Sequence, residues 1–228
     1  MGREYVRRVE AMLVQVPPDD VLLYDIFPGV VNWEKSGTGE EDISFTTTDY
    51  SVPSNSSASS GCCLMKTKSS TPAKGDVVTI SKNLPISPAE KYEFICTFKP
   101  LIQGDELSNY EFGANTDYAG ATYLFHVKFF QSDHTWKYWS APGPVWTPLP
   151  TQPADPHTGL WILVKMAFNA KTGRWMSVTV ADTEVDMSYI AGMPGTYNSP
   201  HIRLGISLIS SVAEQQWMAI DQVSVREL

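Results

Sequence analysis

Apolar and polar residues alternate with a period of two over much of the chain, most clearly between Leu160 and Asp182. There Ile162, Val164, Met166 and Phe168 share one parity, and Trp161, Leu163, Lys165 and Ala167 share the other. After Asn169-Ala170-Lys171-Thr172-Gly173 the alternation resumes, with Met176, Val178 and Val180 set against Trp175, Ser177 and Thr179. Successive side chains of a strand point to opposite faces, so the pattern predicts two strands with one buried side. Gly173 suits the positive φ that a five-residue hairpin loop needs. A helix fits poorly, because a glycine in its interior costs about 1 kcal/mol and β-branched residues crowd the second run. The hairpin is expected in the middle of a β-sandwich. Its mixed face would carry Trp161, Lys165, Trp175 and Ser177.

The same period marks Tyr92 to Phe98, Thr122 to Phe130, Ile202 to Ile209 and Trp217 to Val225. In the second of these, Tyr123, Phe125, Val127 and Phe129 are expected inward, with His126 and Lys128 outward. Val21 to Phe27, Ile43 to Tyr50, Cys62 to Met65 and Val77 to Ser81 read as shorter strands. Pro100 to Tyr118 reads as loop with one or two small elements, because Gly104, Asn109, Gly113 and Asn115 punctuate it. Ser140 to Pro156 holds six of the sixteen prolines, which predicts extended loop with edge-strand pieces. Ser51 to Gly61 is small and polar, as surface loops are. Val185 to Ser199 reads as a connection. Near the start, Val6, Val9, Leu13 and Val16 lie near helical spacing, and Pro17-Pro18 would stop such a helix. Residues 1–20 are therefore read as an N-terminal arm and 21–228 as one domain. Ten or more short strands with many turns predict an all-β, antiparallel jelly-roll sandwich of two sheets.

Composition narrows the function classes. The net charge is −8 and the pI near 5.0. Nucleic-acid phosphates demand clustered Lys and Arg, so such a partner is not expected. No apolar run is long enough to span a bilayer. The first residues lack the pattern of a cleavable signal. Cys62, Cys63 and Cys96 make no disulfide framework, so reduced thiols and a cytoplasmic location are expected.

The order of segments resembles the concanavalin A-like lectin/glucanase superfamily, over roughly Leu22 to Leu228. The resemblance is carried by Asp25-Ile26-Phe27 with Trp33, by the strand YLFHVKF, by the hairpin WILVKMAFNAKTGRWMSVTV and by Ile220-Asp221-Gln222-Val223. It implies a jelly roll with one concave sheet. It leaves the activity open, since the superfamily holds lectins, carbohydrate-binding modules, glycosidases, lyases and adhesive domains. It also implies a structural Ca²⁺ between the first and last strands, for which Asp25 and Asp221 are the candidate ligands.

Catalytic signals are weak. Glucanase members of the superfamily carry a Glu-x-Asp pair followed by a further Glu on one strand, which places two carboxyls close enough for retaining hydrolysis. Here only Glu184-Val185-Asp186 matches, and the third acid would fall at Tyr189 or Ile190. Asp105, Glu106 and Glu111 sit in loop-like sequence. His126, His134, His157 and His201 show no metal-ligand spacing. There is no Gly-x-Ser-x-Gly elbow, and Cys62-Cys63 has no evident base. No catalytic residue is nominated.

Sugar rings, in contrast, stack an apolar face on flat aromatics and bond polar groups at their edges, a mixture typical of ligand sites. Outward parity nominates His126, Lys128, Trp161, Lys165, Trp175 and Arg203, with Trp139 and Trp146 at the rim. The competing reading is that these tryptophans cap the sandwich, and a bulge would turn Trp175 inward. The expected function is a non-catalytic, lectin-like module that binds a glycan on one sheet face. The alternatives are a glycoside-active enzyme, hydrolase or lyase, with an unrecognised acid pair, and a structural domain that forms homo-oligomers.

Overall fold

The buried faces of the long strands of one layer lie against those of a second layer. A computed structural model of the chain describes residues 21–25, 33–38, 42–46, 62–85, 88–101, 108–141, 143–157, 159–196 and 201–228. The expected arm at 1–20 and the Ser-rich loop at 51–61 lie outside the described residues. The first half contributes β1 (Val21–Asp25), β2 (Glu34–Gly37), β3 (Asp42–Thr46), β4 (Cys62–Lys66), β5 (Val77–Pro85), β6 (Lys91–Leu101), β7 (Asn109–Tyr118) and β8 (Ala121–Phe130). The second contributes β9 (Thr135–Ser140), β10 (Val145–Pro148), β11 (Ile162–Asn169), β12 (Arg174–Val180), β13 (Thr183–Asp186), β14 (Met193–Pro194), β15 (His201–Ile209) and β16 (Trp217–Glu227).

These strands form two eight-stranded sheets. The first runs β13-β12-β11-β6-β16-β4-β3, with β1 on β16; the second runs β10-β9-β8-β7-β15-β5-β2, with β14 on β8. Every described pairing is antiparallel. The chain is thus an all-β jelly-roll sandwich. The β11–β12 hairpin forms as expected but stands one strand from the end of its sheet, and β6 and β16 take the middle.

Aromatic rings seal the two layers. Phe125 of β8 stacks on Phe168 of β11, with centroids 4.5 Å apart, and Trp175 of β12 meets Phe125 edge-on at 5.2 Å. Further along, Phe98 of β6 packs on Tyr110 and Phe112 of β7 at 5.2 and 4.9 Å. Ring pairs of this kind add to the area they bury. Cys62, Cys63 and Cys96 are buried.

Two expectations need correction. Trp175 is not on an outer face; it is 1% exposed. The β11–β12 register slips between Ala167 and Phe168, so Phe168 faces Trp175 and the parity of β12 reverses at that point. Nor is the stretch from Pro100 to Tyr118 mostly loop, because β7 fills its second half and lies between β8 and β15. Its inward residues are Tyr110, Phe112, Ala114 and Thr116, all buried. Glycine and asparagine, residues that usually mark turns, sit on its other side.

Gly173 closes the β11–β12 loop at φ +63°, and the ring of Tyr123 lies where a side chain would begin. Both facts favour glycine there: the backbone is left-handed, and an added Cβ would force the Tyr123 ring to move.

Trp175 carries a testable cost. Its indole N–H is buried without a hydrogen-bond partner. Trp175→Ala should lose about 3–5 kcal/mol by emptying the aromatic seam. Trp175→Phe should lose far less, because it also deletes the unpaired donor. Denaturant unfolding of both variants checks the order.

Candidate functional site

The outer face of the second sheet gathers polar residues from five adjacent strands. Cross-strand register places Glu34, Ser81, Gly205, Gly113 and His126 in one row over β2, β5, β15, β7 and β8. A second row runs Ser36, Thr79, Ser207, Glu111 and Lys128. A third holds Asn83, Arg203 and Asn115. Two neighbouring glycines in the first row leave a trough between the other two. A Cβ built on Gly205 would meet nothing within 4 Å, so the floor there is open. The pocket above it has a volume of about 150 Å³.

Gly113 is empty for a different reason. The imidazole of His126 lies across it, and a Cβ would come within 2.8 Å of the ring. The ring is held at both ends: Nδ1 is 2.9 Å from Glu111 Oε1, and Nε2 is 2.7 Å from Asn115 Oδ1. The other Glu111 oxygen faces Lys128 Nζ at 3.5 Å. Burial alone pushes the Glu111 pKa up. The hydrogen bond and charge of His126, with those of Lys128, outweigh it and hold the carboxyl below its usual range. On the opposite wall Arg203 Nη2 donates to Glu34 Oε2 at 3.1 Å and to Ser81 Oγ at 3.0 Å. Ser207 and Thr79 share a hydrogen bond of 2.8 Å. The pocket therefore presents hydroxyls and matched charges.

Beyond His126 the same face turns aromatic. One step from the Val127–Tyr138 pair, Trp139 of β9 falls beside His126, and Trp146 of β10 pairs with Trp139. The two indoles meet edge-on at 4.8 Å, and Trp146 meets Phe130 at 5.4 Å. Lys128 Nζ lies 5.0 Å from the Phe130 ring and 5.4 Å from that of Trp146, while Lys137 Nζ lies 4.6 Å from Phe130.

The nominated residues therefore divide between three places. His126, Lys128, Trp139 and Arg203 share the outer face of the second sheet. Trp161 and Lys165 lie on the outer face of the first sheet, across the sandwich. There Lys99 Nζ stands 5.7 Å from the Trp161 ring, and the indole N–H is buried without a partner. Trp175 is inside. Parity assigned each residue to an outer side without telling which sheet it belonged to. Glu111, Gly113, Asn115, Gly205, Ser207, Thr79 and Ser81 were not nominated. The signal for the first three was the alternation of Tyr110, Phe112, Ala114 and Thr116 on β7.

The other candidates fall away from the trough. Glu184 and Asp186 are exposed on β13 of the first sheet. Asp105 and Glu106 lie outside the described residues. His134 is exposed in a turn, with Nδ1 2.6 Å from Asp155 Oδ2. Asp221 occupies the bulge of β16 between Ile220 and Gln222, where burial raises its pKa. Asp25 pairs with Val223, but its side chain is outside the described set. Among the described residues no three His, Cys, Asp or Glu side chains converge. A hard cation needs several oxygen ligands, backbone carbonyls among them, and of the two expected carboxylates only that of Asp221 is described.

No family model matches the chain, and no curated protein matches it either. Solved structures do. Cellulose induced protein Cip1 superposes with a TM-score of 0.57 at 12% identity, covering 90% of this chain and 97% of that one. The carbohydrate esterase of Shiga toxin-encoding bacteriophage phi24B gives 0.54 at 14%, covering 91% and 98%. The carbohydrate recognition domain of Emp46p, in a point-mutant form, gives 0.52 at 9%, covering 90% and 95%. The chain has the concanavalin A-like lectin fold. Among the described residues no helix is long and apolar enough to cross a membrane.

The His126–Glu111–Lys128 cluster predicts an acid-sensitive term in stability. A carboxyl whose folded pKa is lowered stabilises the fold above its unfolded value and loses that contribution as pH falls through the folded one. Glu111→Gln should therefore narrow the stability gap between neutral and acidic pH. Urea unfolding of both proteins at a series of pH values measures it. Parallel curves for the two proteins would contradict it.

Proposed function

We propose that the chain is a lectin-like module that binds a carbohydrate in the trough on the outer face of the second sheet. The observation that carries this reading is the pocket over Gly205. It has an open glycine floor, hydroxyl-bearing walls from Thr79, Ser81 and Ser207, and a fixed imidazole at one end. Its charges are already matched, Glu111 by His126 and Lys128, and Arg203 by Glu34. Matched charges and hydroxyl-bearing walls suit a neutral, polyhydroxylated ligand better than an anion. The Emp46p carbohydrate recognition domain shares the fold and supports the reading as an analogy.

A carbohydrate-active enzyme is the second reading. It is favoured by the phage esterase fold and by the 2.9 Å His126–Glu111 pair. Against it, both imidazole nitrogens are engaged, so neither ring nitrogen stands ready to take a substrate proton.

Gly205→Val tests the binding reading with the fold kept. Glycine weakens a strand and this Cβ has free space, so the variant should melt at or above the wild-type temperature. It should also lose at least tenfold in affinity for any glycan that a panel identifies. Full affinity in a folded Gly205→Val protein would remove the trough as the site. Release of acetate or reducing sugar by the wild type, abolished in His126→Ala, would favour the enzyme.

A further inference from the structure

Trp139, Trp146 and Phe130 form an aromatic cluster on the same face as the Gly205 pocket, on the far side of His126. We propose that this cluster is a second subsite of one continuous trough, so that the ligand is a chain of several sugars laid across the strands. This inference rests on the reading of the Gly205 pocket as a sugar site.

Three observations carry it. The first is alignment. The row Gly205, Gly113, His126, Trp139, Trp146 crosses β15, β7, β8, β9 and β10 in register. Four strand intervals make the row roughly 19 Å long at the usual inter-strand spacing, far more than a pocket of about 150 Å³ needs. The second is complementary chemistry. The pocket offers partners for the hydroxyl edge of a sugar, and the indoles offer flat surface for its apolar face. The third is continuity. Lys128 reaches both parts, 3.5 Å from Glu111 and 5.4 Å from the Trp146 ring. The cluster is not cover for the core: on β9 the buried positions are Trp136, Tyr138 and Ser140, and Trp139 and Trp146 are half-buried on the outer side.

The test uses the full chain and ladders of β-linked gluco-, manno- and galacto-oligosaccharides, from monosaccharide to hexasaccharide, in titration calorimetry. In the wild type, affinity should rise at least tenfold along one ladder. In Trp146→Ala it should stay near the short-sugar value, with binding of the shortest sugars retained. Trp146→Leu keeps apolar bulk without a flat ring, and should behave as the alanine variant does; it serves if the latter fails to fold. Affinity that is already complete with a monosaccharide, or a length gain that survives both variants, overturns the second subsite and leaves the Gly205 pocket standing. No binding of any ladder member or any panel glycan overturns both.

Discussion

The contact between Phe125 and Phe168 holds the two layers in their mutual position. Each ring comes from a different sheet, and Trp175 locks the pair from the side. Once these residues must face inward, strict alternation decides what the same strands show outside. Phe125, Val127 and Phe129 in the interior force His126 and Lys128 onto the outer face. Tyr110, Phe112 and Ala114 do the same for Glu111, Gly113 and Asn115. The polar trough is the reverse side of the aromatic seam.

That coupling explains how the site is built without loops. Its walls are strand residues, fixed by ladder hydrogen bonds and by each other. Glu111 uses one oxygen for His126 and the other for Lys128, and Arg203 ties Glu34 to Ser81. Open space comes from removing side chains, not from bending the backbone: Gly205 leaves a hollow, and Gly113 gives His126 room to lie flat. A site on strands is pre-organised, so little ordering is required when a ligand arrives.

Most of the architecture was legible because burial imposes period two. Tyr92 to Phe98, Thr122 to Phe130 and Ile202 to Ile209 all lie in strands that the alternation marked. The site was half legible. His126, Lys128 and Arg203 followed from parity, but Trp161 and Lys165 obey the same rule on the opposite sheet, and a local rule cannot see which sheet a strand joins. Trp175 escaped because one bulge reverses parity. β7 was hidden by its own chemistry, since the glycine and asparagine that make the trough are residues that usually mark turns. β7 thus violates local propensity on its outer face and obeys the core on its inner one.

The ends of the sheets have a different consequence. β10 finishes at Pro148, β13 carries the exposed acids Glu184 and Asp186, and β2 is exposed at all four positions and includes Glu34 and Lys35. Proline lacks an N–H to offer a neighbour, and charge repels close stacking of like strands. These three margins are therefore poor templates for another chain's backbone, and they disfavour the edge-to-edge pairing to which wide β-structures are prone.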